Sequence, residues 1–187
     1  MNYLDPDGLE VVVSDALALE RIRSSVPAKL RNTITLTNSN RICENTLRRA
    51  RTSNQNFNDL ITLVSDTHLI TVRTGTSSDL MEFTYRTQEQ VRQDIINNYP
   101  GSDPNDAIAT IHLGVVNEIS DNESEVILAN NDGLLSNVPA IENAITAAHE
   151  LYGHMILRVL GLPWKHGDKG VDQFIKNVED RTRADFE

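Results

Sequence analysis

Cysteine is almost missing from this sequence: Cys43 is the single one in 187 residues. A lone thiol closes no internal disulfide and builds no thiolate metal cluster. Its neighbours Arg41, Ile42, Glu44 and Asn45 form no nucleophile motif, so Cys43 reads as a structural or incidental thiol. Positive charge is scarce as well, with 17 Lys and Arg against 27 Asp and Glu and a formal net charge of -10. Phosphate backbones and anionic headgroups are not attracted to such a surface, which excludes nucleic acid as the expected partner. No apolar run approaches the roughly 18 residues of a membrane span. No basic-then-apolar leader is visible either, so neither a span nor a signal peptide is expected in this chain. Internal repeats and low-complexity tracts are also lacking. Hydrophobic residues nevertheless make up 39% of the chain, enough for one real core.

What is present is a series of periodic segments. Asp15 stands as an N-cap before Leu19, Ile22 and Val26, and Pro27 ends that helix. Residues 42–51 predict a second helix, with Arg48, Arg49 and Arg51 on a solvated face. Residues 53–66 predict a third, with Phe57, Leu60, Ile61 and Val64 on one stripe. The period then becomes two. Residues 69–73 and 80–85 predict two strands joined as a hairpin around Gly75. Residues 88–97 predict a short helix, and 107–116 and 125–129 two further strands. His68 and His112 fall on or beside strands and read as sheet histidines. His112 is the stronger outsider, because an edge strand beside a catalytic helix binds a substrate backbone by strand addition. Residues 130–137 read as a loop, and Pro139 suits the first turn of the next helix. Helices, then a small sheet, then helices describe an α+β domain.

The chemistry concentrates in residues 144–161, an Ala- and Leu-rich helix stopped by Gly161 and Pro163. It carries His149-Glu150-Leu151-Tyr152-Gly153-His154. A neutral imidazole binds Zn²⁺ through one ring nitrogen, and a carboxylate next to a liganding His reaches the activated water as its general base. Two such His residues ordinarily lie at i and i+4. Here they lie at i and i+5, roughly 140° apart on an ideal helix. The metal reading therefore predicts a single π-type turn in this helix, which returns both rings to one face. Gly153 tolerates the distortion. Downstream, Val171, Phe174, Ile175, Val178 and Thr182 form one helical stripe. Glu179 flanks that stripe whereas Asp180 points to solvent, making Glu179 the expected third ligand. Asp185 returns to the inner face as a candidate acceptor for a His ring. Two alternatives stay open: Glu179 pairs with Arg183 at about 0.3 kcal/mol, or His166 is the third ligand. His166 also suits a place at the mouth of the site, stabilising the oxyanion, a role equally open to Tyr85 and Tyr152.

HELYGH resembles the HExxGH motif of the dipeptidyl peptidase III family of zinc peptidases, which carries the same one-residue expansion. The likeness covers six residues and implies a zincin-type site, not dipeptidyl peptidase activity. That family also has a Glu ligand in an EExRAE-like segment, to which residues 179–185 are similar but out of register. Near the start, Tyr3-Leu4-Asp5-Pro6-Asp7-Gly8 is a turn with a mechanism, Pro presetting φ and Gly accepting a positive one. It resembles the junction that precedes the C-terminal toxin domain of Rhs/YD-repeat polymorphic toxins. That resemblance implies a junction remnant over 1–13 and a single metallopeptidase-like effector domain over 14–187. It also implies secretion or delivery within a larger protein, and a cognate immunity protein. The combined expectation is a zincin-like α+β fold, with a small mostly antiparallel sheet, an active-site helix and flanking helices. Zn²⁺ is held by His149, His154 and Glu179, and Glu150 is the base that activates water against a protein or peptide substrate. The rivals are a non-catalytic toxin or interaction module with a vestigial or structural motif, and hydrolysis of a non-peptide bond at the same site.

Overall fold

Asp15 ties the first helix to the sheet. In this computed structural model, which describes residues 11–83 and 109–186, one Asp15 oxygen accepts from Ala18 N at 2.8 Å and caps the helix. The other accepts from Thr74 N at 2.8 Å, on a central strand. The chain begins with β1 (Val11–Val13), α1 (Ala16–Ser24), α2 (Ala28–Arg31), α3 (Glu44–Arg49) and α4 (Gln55–Val64). Strands β2 (Leu69–Gly75), β3 (Met81–Phe83), β4 (Ala109–Ile111), β5 (Gly114–Ser120) and β6 (Glu123–Ala129) follow. After a short 3₁₀ turn at Gly133–Leu135, α5 (Ala140–Ala148), a π segment (His149–Met155) and α6 (Ile156–Val159) run end to end. The last helix is α7 (Val171–Phe186). The expected turn at 5–8, Tyr85 and the helix expected over 88–97 lie outside the described residues.

The domain is α+β, but its sheet is mixed. Four strands lie in the order β1-β2-β6-β5; the first two pairings are parallel and only β5 runs antiparallel, against β6. The mostly antiparallel sheet and the hairpin around Gly75 are therefore both corrected. Strand β2 is central, while β3 pairs with β4 in a separate two-stranded sheet. Alternation in a strand reports which residues share a face and carries nothing about the direction of the neighbour. The single strand expected over 107–116 is likewise divided, with β4 and β5 separated at His112 and Leu113. Val11–Val13, expected in the junction segment, contribute a buried edge strand.

Both faces of the sheet bury apolar side chains. Val11, Val13, Ile70, Val72, Val126 and Leu128 meet Ile22, Phe57, Leu60, Leu151, Met155, Ile175 and Val178 in the main core. Ile127 and Ala129 point the other way, onto Leu80 and Leu135. A buried polar chain locks the helices together. Arg181 donates to Asn56 and Asp59, each at 2.5 Å, and Asn56 donates to Ser25 O and Thr182 Oγ1. Ser25 Oγ in turn lies 2.9 Å from the Tyr152 hydroxyl. His68 is the sheet histidine expected of it, buried with Nε2 2.9 Å from Ser124 Oγ. Among the described residues, no helix is long and apolar enough to cross a membrane.

Because Asp15 both caps α1 and holds it to β2, Asp15→Ala is expected to cost about 1–2 kcal/mol of stability in urea unfolding. A loss below about 0.5 kcal/mol would mean that water replaces both bonds at no net cost.

Candidate metal centre

The helix carrying His149 and His154 starts directly after a proline. Pro139 precedes its first residue, and buried Asn143 returns its side chain to the carbonyls of Val138 and Pro139. At His149 the winding loosens to a π segment that lasts to Met155, as the i, i+5 spacing requires of a metal pair. The rings of His149 and His154 then face one another, with centroids 4.9 Å and Nε2 atoms 3.2 Å apart. Gly153 lies inside the π segment at a φ that is not positive, and this winding does not require a positive one. A Cβ there would stand 3.0 Å from Ile175 Cγ1, so its bareness lets α7 pack against the π segment.

The end of α6 delivers the rest. Gly161 adopts φ +67°, and Leu162 N donates to Leu157 O at 2.9 Å while Gly161 N donates to Arg158 O at 2.9 Å. This pair of bonds is a Schellman stop, which turns the chain back towards its own helix. Trp164 O then lies 2.5 Å from His154 Nδ1, and His166 Nε2 comes within 3.2 Å of His154 Nε2. Arg158 secures this return. Its guanidinium, largely buried, donates to Ser120 O at 2.7 Å, pairs with Glu118 at 2.9 Å and stacks 5.1 Å from the Trp164 ring centroid.

Three imidazole nitrogens, from His149, His154 and His166, thus lie within 4.8 Å of one another and are close enough to hold a metal ion. The outer nitrogen of every ring is occupied. His149 Nδ1 meets Glu179 Oε1 at 2.6 Å, His154 Nδ1 meets the Trp164 carbonyl, and His166 Nδ1 meets Asp172 Oδ1 at 2.8 Å. A carbonyl or an ionised carboxylate only accepts, so each Nδ1 carries the proton in a neutral ring. Each Nε2 is then a lone pair directed at the others. Three acceptors at such spacing repel unless a cation lies between them. Expected as the third ligand, Glu179 instead occupies the outer side of His149, and the third converging nitrogen comes from His166.

The remaining candidates separate clearly. Asp185 faces α4 and accepts from Asn54 Nδ2 at 2.6 Å, away from every histidine. Arg183 leaves Glu179 alone and reaches Glu142 at 3.6 Å. Tyr152 is fully buried on Ser25, with its hydroxyl pKa pushed up by desolvation, and presents nothing to the cleft. Glu150 and His112 do line that cleft, an open space of about 900 Å³ bordered by β5. Glu150 makes no hydrogen bond or ion pair among the described residues, and burial alone pushes its pKa up to about 8. Burial also lowers the His154 pKa to about 4. The His166 partner pulls the Asp172 carboxyl down. Sequence reasoning did not single out Asp172 or Trp164. An acid in the first turn of α7 was the available signal for one, but a backbone carbonyl leaves no signal for the other.

Comparison of the chain with protein-family models, curated proteins and solved structures returns no match.

In protein stripped of metal by a chelator, Glu150 and His154 act on stability in opposite directions. A carboxyl raised from 4.5 to about 8 stabilises the fold at low pH and loses that contribution as pH rises through 8. An imidazole lowered from 6.5 to about 4 stabilises it above pH 6.5 and loses that contribution as pH falls towards 4. Between pH 6.5 and 8 the carboxyl dominates. Chelated protein is therefore expected to unfold at lower urea at pH 8 than at pH 6.5. Glu150→Gln should remove that slope; a slope that persists assigns it to another group.

Proposed function

We propose that this chain is a zinc-dependent endopeptidase domain of zincin type, in which His149, His154 and His166 hold the metal and Glu150 is the general base. The observation that carries the reading is the convergence of three Nε2 lone pairs whose three Nδ1 protons are all taken up outside the cluster. The donor set fits zinc. Two nitrogens at about 2.0–2.1 Å from a tetrahedral ion are roughly 3.3 Å apart; His154 Nε2 stands 3.2 Å from either neighbour, while all three ligand nitrogens lie within the wider bound of 4.8 Å. Imidazole nitrogens with an open fourth position are the ligand type of catalytic rather than closed structural zinc sites. Glu179, the Trp164 carbonyl and Asp172 orient the rings and raise their basicity.

Bound by these three residues, zinc would supply Lewis acidity and the means of activating water at neutral pH. In this reading Glu150, which lines the same cleft as the histidines, takes the proton from the attacking water and passes it to the departing amine. Burial favours its protonated form, whereas a cation held by the three histidines would favour the ionised form that a base needs. Peptide is favoured as the substrate by the cleft wall. Strand β5 pairs on one side only among the described residues, and its free edge borders the cleft, ready to align an extended backbone. On the Asp5-Pro6-Asp7-Gly8 resemblance, the domain serves as a delivered effector with an immunity protein as its partner.

Two variants distinguish the third ligand. His166→Ala is expected to abolish stoichiometric zinc, while Glu179→Gln should retain one zinc per chain at about 10–100-fold weaker affinity. Equal loss of metal in both would return Glu179 to the coordination sphere. Glu150→Gln should bind zinc as the parent does and lose hydrolysis of unfolded casein by at least about a hundredfold. Turnover retained in that variant would overturn the role of Glu150.

A further inference from the structure

Strand β5 enters the site on a residue with no side chain. A Cβ on Gly114 would stand 2.8 Å from Glu150 Cγ, 3.0 Å from Glu150 Oε1 and 2.7 Å from Thr146 Cγ2. Thr146 and Glu150 are one helical turn apart and share a face, so this face of the helix lies directly on the bare strand. The backbone does not demand glycine here, since Gly114 is outside the positive-φ set. Its role is space. Neither wall can retreat: Gly114 is held in the β5–β6 pairing opposite Leu128, and Ala147, Ala148 and Leu151 anchor the helix in the core. What remains adjustable is the pair of side chains, Thr146 and Glu150. Glu150 has no hydrogen-bond partner among the described residues, and packing alone aims it.

We propose that Gly114 is a positioning residue: the bare, buried Cα of the edge strand selects the Glu150 rotamer that directs its carboxylate into the cleft beside the three histidines. Any larger residue at 114 swings the carboxylate off that line without touching His149, His154 or His166. The inference rests on Glu150 being the general base, and its test separates the two.

The zinc-loaded chain of 187 residues is assayed on fluorescein-labelled unfolded casein as Gly114→Ala, Thr146→Ser and the double variant. Gly114→Ala is expected to keep one zinc per chain with unchanged affinity and to lower kcat roughly 10–100-fold with little change in KM. Thr146→Ser should retain parental kcat. The double variant, which removes the tightest contact but leaves the one to Glu150, should stay low. If Gly114→Ala fails to fold, the double variant carries the comparison. Parental kcat in Gly114→Ala, or its recovery in the double variant, overturns the proposal, as does loss of zinc. If the parent carries zinc yet cleaves no casein, the peptidase reading fails instead. The Glu150 rotamer in crystals of zinc-loaded parent and Gly114→Ala then decides the positioning role, and an unchanged rotamer overturns it.

Discussion

One loosened turn between Ala148 and Ile156 sets the geometry on which the site depends. Regular winding would send His149 and His154 to different sides of the helix; the π segment brings their Nε2 atoms to 3.2 Å. Such a turn is a poor bargain locally, because i→i+5 bonding is strained. It persists because its neighbours leave it no room to relax. Leu151, Tyr152 and Met155 are fully buried within it, the Tyr152 hydroxyl is tied to Ser25, and Gly153 admits Ile175 at van der Waals range. The helical core thus stores the distortion that the histidine pair uses.

From that turn the other parts follow in order of decreasing burial. His154 is nearly enclosed, His149 is partly covered, and His166 stands largely open on the loop that ends at α7. The open member is the one that most needs outside support. It receives it from Asp172, from the Schellman stop at Gly161, and from Arg158, which joins the loop to the end of β5. The polar chain through Arg181, Asn56 and Thr182 fixes α7, and with it the reach of Glu179 to His149. Core polarity and site geometry are in this sense one network.

Carboxylates around the cluster divide by environment. Glu179 and Asp172 spend their acceptor capacity on imidazole protons at the periphery. Glu150, adjacent in sequence to His149, has no such partner among the described residues and lies buried in a wall of the cleft. Burial raises the Glu150 carboxyl while the His166 partner lowers that of Asp172, so two carboxyls near one cluster are pushed in opposite directions.

Much of this was legible along the chain, and the limit has a physical cause. Capping chemistry, helical stripes and the Gly161 stop are local, so Asp15, α4, α7 and the helix ending could be read from neighbouring residues. The π turn was legible too, because a spacing of five constrains a helix that must present two rings together. Strand direction was not, since alternation in β2 is the same beside a parallel or an antiparallel partner. Nor was the choice between Glu179 and His166. Helical phase placed Glu179 near the site, but only the packed distance between α7 and the π segment puts its carboxylate at Nδ1 of His149 and leaves the inner position to His166. Sequence by itself determined which residues lean towards the centre. Tertiary structure alone decided which nitrogen or oxygen arrives there, because that depends on distances between segments that share no covalent neighbours.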